Sequence, residues 1–208
     1  NNEQIKAIDI RLGSMYTLEK IAQDHEDYHN QIMEVLCAYI RTQKSFPHNL
    51  TFDSLNQIHN SGQFSAEDDI NTALQVIGRR NVNHDQNLKL NFTCCDLSFA
   101  RFVGDFKFAI FTYSVLNFVT FKCDLSHASM NKCLLLGTDF TDSISEDCDI
   151  ARSFIRKITI SDPQFLRMRN WKVSCRPENL KHGASIPYPD QSMRNRFDTP
   201  TLMKELKL

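Results

Sequence analysis

The sequence predicts a mainly β protein with a helical N-terminal part, its β portion wound as a four-sided β-helix. Three observations carry this expectation. Apolar residues before about residue 80 recur at helical spacings of three and four. From Leu88 to Phe165 large apolar residues recur every five residues instead. Most of them have a small residue two positions earlier, a conjunction that neither the helical period of 3.6 nor the strand period of 2 produces.

The helical part comes first. Ile8, Leu12, Met15, Leu18 and Ile21 fall on one helical face, as do Ile32, Val35, Leu36, Tyr39 and Ile40. Between them Asp24-His25-Glu26-Asp27 offers capping side chains, so residues from Ile5 to Thr42 are expected to form a helical hairpin. Pro47 and the polar run to Gly62 read as a connection, with one helical turn expected around Phe52 to Ile58. Ser65-Ala66-Glu67-Asp68 then matches a capping box ahead of Ile70, Ala73, Leu74 and Ile77. A third helix follows to about Arg80.

The repeat has four-residue steps at two places. Phe92, Leu97 and Phe102 lead by one such step to Phe106, Phe111, Leu116 and Phe121, and by another to Leu125, Met130, Leu135 and Phe140. Ile150, Ile155, Ile160 and Phe165 continue the series after a skip at Ser145. Two residues before these centres stand Cys95, Ala100, Gly104, Ala109, Ser114, Cys123, Ala128, Cys133, Thr138, Cys148 and Ser153. This pattern suits a square coil in which each side turns one large residue inward and the crowded corner takes a small one.

Cys95-Asp96-Leu97-Ser98-Phe99, Cys123-Asp124-Leu125-Ser126-His127 and Thr138-Asp139-Phe140-Thr141-Asp142 resemble the unit of the pentapeptide-repeat family: a small residue, Asp or Asn, Leu or Phe, then two variable residues. The resemblance covers roughly 75 residues and implies a right-handed quadrilateral β-helix that acts as a binding scaffold. The segments Ile10 to Ala22 and Asp69 to Arg80 are similar to a helical region preceding the repeats in some bacterial, membrane-anchored members. On this reading residues 1–82 form a helical unit (the hairpin plus a third helix) that caps the coil. Residues 86–167 form a β-helix of about four coils, and 168–208 a cap around Trp171 with a loose tail.

Composition bounds the function. Formal net charge is −1 from 24 basic and 25 acidic residues, so no global field steers the chain toward nucleic acid or anionic lipid. Seven cysteines without CxxC spacing argue against a disulfide framework and a zinc site, and fit a reducing, cytoplasmic compartment. No run of 18 apolar residues and no signal peptide occur. The chain opens Asn1-Asn2 without an initiator methionine, as expected of a fragment or processed product. An upstream membrane anchor would place the protein at the inner face of a bacterial membrane.

Candidate chemistry is sparse. His25 and His29, four apart among Asp24, Glu26 and Asp27, have the spacing of a metal pair. They sit at a helix boundary, however, where carboxylates serve as caps, so no metal is expected. Cys95, Cys123, Cys133 and Cys148 occupy the small inward position as apolar fillers; Cys94 points outward. No phosphate loop, nucleophile elbow or H-E-x-x-H is present, and neither enzymatic activity nor a cofactor is expected. The pentapeptide-repeat resemblance also raises mimicry of DNA toward type II topoisomerases such as gyrase. That needs an acidic exterior, whereas Asp105 and Asp124 give way to Ile144 and Gln164, and Lys122, Lys132, Arg152, Arg156 and Lys157 interrupt other sides. An accessory role beside an enzyme encoded upstream is the remaining alternative.

One side is apolar where members of this family are polar. Aligning the coils puts Val115, Leu134 and Phe154 at outward positions, with Phe99 and Phe118 beside them and Ile110, Tyr113 and Leu136 extending the ladder. Such a face marks an interface. Expected occupants are the chain's own helices or the Trp171 segment, a second copy in a homodimer, or another protein; nucleic acid is not expected.

Overall fold

The structure, a computed structural model, describes residues 2–45 and 68–171, with backbone only for 2–6. It is a mixed helix and sheet fold with short strands. Helices α1 (Asn2–Asp24) and α2 (Glu26–Gln43) form the expected hairpin, and α3 (Asp68–Gly78) follows. Strands β1 (Arg101–Asp105) and β2 (Thr120–Asp124) pair in parallel, as do β3 (Leu134–Leu136) and β4 (Phe154–Arg156), and α4 (Asp162–Arg167) comes last. The expected turn at Phe52 to Ile58, and Ser65 to Glu67 of the expected capping box, lie outside the described residues.

Parallel bridges set the register of the β part. Asn91, Ile110, Ser129, Asp149 and Arg169 pair in succession down one side; Asp96, Val115, Leu134 and Phe154 down a second. Arg101, Thr120, Asp139 and Thr159 make a third, and Asp105, Asp124 and Ile144 a fourth. The chain therefore returns to each side after 19 or 20 residues, having visited the other three. We call them sides one to four.

Two local devices make the corners. At most corners where centres are five apart, the residue two beyond the centre adopts a left-handed backbone: Cys94, Phe99, Phe108, Tyr113, Phe118, His127, Lys132, Asp147, Arg152 and Lys157 all have φ between +53° and +65°. A hydrogen bond then closes the turn, as from Ala100 N to Leu97 O (3.0 Å) and Ala128 N to Leu125 O (2.9 Å). Where centres are only four apart the chain runs extended through the corner, and those steps are strands β1 and β2. The Asp or Asn before a centre accepts the amide two residues on. Asp96 takes Ser98 N (3.0 Å), Asp124 takes Ser126 N (2.9 Å) and Asp139 takes Thr141 N (2.9 Å), which is why the position favours short carboxylates.

The interior is aromatic at its upper end. Phe92, Phe102, Phe106, Phe111, Phe121 and Phe140 are fully buried, with Phe92 over Phe111 at 5.2 Å and Phe121 over Phe140 at 5.1 Å between ring centroids. Such pairs contribute about 0.5 to 1.5 kcal/mol each beyond burial. Corner hydroxyls bond carbonyls of the turn above: Ser114 Oγ to Phe92 O (2.7 Å) and Thr138 Oγ1 to Leu116 O (2.7 Å).

The helical part closes the first turn on all four sides. Arg41 Nη1 donates to Asn91 O (2.6 Å) on side one, and Asp96 N donates to Lys44 O (2.8 Å) on side two, where Ser45 pairs with Cys95. On side three Arg101 N donates to Asn71 Oδ1 (3.3 Å), and on side four Arg80 Nη1 donates to Asp105 O (2.6 Å). Gly78 lets α3 press on β1: a Cβ there would lie 1.9 Å from Val103 O.

Three expectations need correction. Val35 and Ile21 are exposed; the buried faces are Met15 and Ala22 on α1 and Ile32, Met33, Leu36, Cys37 and Ile40 on α2, because α3 packs against both helices. The boundary residue His25 makes no side-chain cap, and Glu26 and Asp27 act instead as first-turn charges. Phe165 is not a strand centre. The chain leaves the repeat at Ser161, whose capping box with Gln164 starts α4, with Pro163 in the first turn where no amide is needed. Gln164 Nε2 donates to Phe140 O (3.1 Å) and Ser143 O (2.6 Å) as the next rung would, and Phe165 lies beneath, its ring 5.7 Å from that of Trp171 and tilted 50° to it.

Candidate interaction face

Side two carries the apolar ladder read from the sequence. Val115 bridges Asp96 above and Leu134 below, and Leu134 pairs with Phe154. At the corner beyond the centres, the rings of Phe99 and Phe118 stack at 5.2 Å with planes 9° apart. Left-handed φ values of +65° and +56° aim both rings along the same edge. The next residue in that column is Gly137, where a Cβ would stand 2.6 Å from the Phe118 ring. Only glycine leaves room for that ring.

None of the eight residues of the face is openly exposed. Val115 and Leu134 are 2% and 6% accessible, and Phe99, Ile110, Tyr113, Phe118, Leu136 and Phe154 are half-buried. Ile110 belongs to side one, bridged to Asn91 and Ser129. Tyr113 stands at the corner between sides one and two, where the Lys132 ammonium lies 4.6 Å from its ring centroid and bonds its hydroxyl. The structure thus gathers six of the eight on one side and two on its flank.

The other candidates resolve into packing. Cys95, Cys123, Cys133 and Cys148 are buried free thiols, and burial pushes Cys95 and Cys133 up to about 12 and Cys123 and Cys148 higher. Cys133 Sγ donates to Phe111 O. His29 turns inward and bonds Asp85 Oδ1 (2.8 Å), and Arg80 donates to the same carboxylate from Nε to Oδ1 and from Nη2 to Oδ2, so His29 ties α2 to the residue that closes the turn Val82–His84. Among the described residues no group of three or more His, Cys, Asp or Glu side chains could hold a metal ion. On side four Lys107 reaches both Asp105 (3.6 Å) and Asp124 (3.2 Å). Burial alone would raise Asp124, but hydrogen bonds from Ser126 and Lys107 outweigh it and hold the carboxyl below its usual range.

Sequence reasoning missed two buried polar networks. One is Arg80 with Asp85, His29 and Asp105; the other joins Asp69 to Tyr39 Oη (2.6 Å) and Arg11 Nε (3.0 Å). Each pairs residues far apart in the chain, and the apolar period carries no trace of them.

A solved structure of a pentapeptide repeat protein from the Arabidopsis thaliana thylakoid lumen is similar to this chain. The match has 18% identity, covers 47% of this chain and 67% of that one, and has a TM-score of 0.25. No family model matches the sequence, and no curated protein matches it. Among the described residues no helix is long and apolar enough to cross a membrane.

Proposed function

We propose that the stacked sides are the coils of a right-handed, quadrilateral β-helix of the pentapeptide-repeat type, and that the protein is a non-enzymatic scaffold for protein–protein interaction. The helical unit is assigned to 1–82, the β-helix to 86–167 and the C-terminal cap and tail to 168–208. The observation that carries the scaffold reading is side two, where half-buried Leu136 and Phe154 stand beside the stacked rings of Phe99 and Phe118, over the buried Val115 and Leu134 on parallel rungs. The half-buried apolar rim of that column is surface a partner can complete. The same reading allows the chain to be the cytoplasmic part of a bacterial membrane protein.

The rival, mimicry of DNA toward a topoisomerase, has less support. The acidic column on side four ends after Asp105 and Asp124, and Lys107 neutralises both. Two assays separate the readings. In the first, Leu136→Asp with Phe154→Asp is expected to abolish association, whether with a second copy or a foreign protein, while the melting temperature holds. In the second, gyrase supercoiling is expected to proceed unchanged in the protein's presence. Inhibition of gyrase would establish the rival, and a double variant that retains both its partner and its native mass would remove side two as the interface.

A further inference from the structure

Charge is distributed unevenly along the axis of the stacked turns. Residues 88–149 hold eight acidic and five basic side chains, whereas residues 150–171 hold five basic and one acidic. The five are Arg152, Arg156, Lys157, Arg167 and Arg169, all exposed. None forms an ion pair or side-chain hydrogen bond among the described residues, in contrast to Lys107 and Lys122, which are paired with Asp105, Asp124 and Asp142.

Their placement follows from the register. Arg152 stands at the corner between sides one and two, one rung below Lys132 in the left-handed column. Arg156 and Lys157 lie at the end of side two, Arg156 being paired with Leu136. Arg167 ends α4 at the close of side four, and Arg169 is bridged below Asp149 on side one. The five cations therefore lie within about one rung spacing of ~4.8 Å of one another, spread over three of the four sides, with Asp147 and Asp149 one rung above Arg167 and Arg169 on the side away from this end. Leu166 beside them is 52% exposed.

We infer that this end of the molecule docks on an anionic lipid bilayer. A plane across the axis meets all five cations at once, and long Arg and Lys side chains reach along an axis to a surface their backbones do not touch. A nucleic-acid strand or an acidic peptide would run along a single side and meet only two or three of them. The aromatic rings beside them are taken up in packing: Phe154 is half-buried on side two, and Trp171 lies against buried Phe165 at 5.7 Å. Exposed Leu166 adds a small apolar contact of the kind that accompanies basic residues at an interface. Each cation near an anionic leaflet strengthens binding roughly fivefold, so three of them account for about a hundredfold.

The test is co-sedimentation of the full chain with vesicles of phosphatidylcholine mixed with phosphatidylserine, and with phosphatidylcholine alone. Binding to the mixed vesicles only is expected, with release near 1 M salt, where the Debye length falls to about 3 Å. Arg152→Glu, Arg156→Glu and Lys157→Glu together are expected to lower partitioning by at least about a hundredfold. The matched reversal Lys89→Glu, Arg101→Glu and Lys122→Glu should leave it within a few-fold, each triple first being checked by circular dichroism. Should the first triple misfold, Arg156→Gln with Lys157→Gln takes its place, with a loss of at least about tenfold expected. Absence of binding to the mixed vesicles overturns the inference. So does equal loss in both triples, or a preference for a single-stranded RNA oligonucleotide over the vesicles.

Discussion

At the scale of single residues the five-residue period was readable because one inward side chain per side is a steric requirement. Cys95, Cys133 and Cys148 stand where the small position predicts, with no accessible surface. The left-handed corners were not readable: Phe99, Tyr113 and Lys132 at φ near +60° break the ordinary preference for Gly or Asn, and only the closed turn explains them. Ser145 marks another limit, since it is a buried hydroxyl without a hydrogen-bond partner in a column that otherwise holds Phe106, Leu125 and Phe165. The buried thiols give a pH prediction. Burial raises Cys37, Cys95 and Cys133 from 9.0 to about 12, so between pH 9 and 12 the unfolded chain loses protons that the folded chain keeps. Stability should fall as pH rises through that window, by up to about 1.4 kcal/mol per pH unit for each thiol. Melting curves across pH 8 to 10.5 check this, and Cys95→Ala with Cys133→Ala should flatten the decline. Equal slopes with and without these thiols would show that they are not the groups responsible.

At the scale of elements, the hairpin and the third helix were legible from spacing, but the faces they bury were not. Val35 and Ile21 fit an apolar stripe as well as Met33 and Ala22 do, and only the position of α3 decides between them. The junction of α3 with β1 was equally hidden, because it depends on two glycines, Gly78 and Gly104, that lie far apart in the chain. A Cβ at Gly78 would meet a backbone oxygen of β1, and one at Gly104 would lie 2.0 Å from Gly78 O, so neither can be relieved by a rotamer change. Gly78→Ala is therefore expected to cost about 2 kcal/mol or more, against the gain of a few tenths to 1 kcal/mol normally seen for this change inside a helix. Chemical denaturation measures it. A neutral or stabilising result would mean that α3 does not press on β1.

At the scale of the molecule, the helical part meets the first turn with one hydrogen-bonding group per side: Arg41, Lys44, Asn71 and Arg80 satisfy Asn91, Asp96, Arg101 and Asp105. Sequence alone suggested that a stack of coils needs a cap, since an open edge invites pairing with another chain. It gave no sign that four separate side chains and carbonyls would divide the task. Residues 82–208 expressed without the helices should consequently aggregate, and light scattering at micromolar concentration reads this out; a well-behaved monomer would show that the edge needs no cover. The molecule is built on the chain's return to the same side every 19 or 20 residues in parallel register. The most direct test of that return is oxidation of Leu136→Cys with Arg156→Cys, partners in the β3–β4 pairing, in a chain whose Cys94 and Cys175 are changed to Ser. Parallel neighbours about 4.8 Å apart lie within the span a disulfide bridges, so rapid intramolecular closure is expected. Leu136→Cys with Glu146→Cys, half a turn away on the opposite side, should stay reduced; closure of this second pair, or failure of the first, would contradict the stacked register.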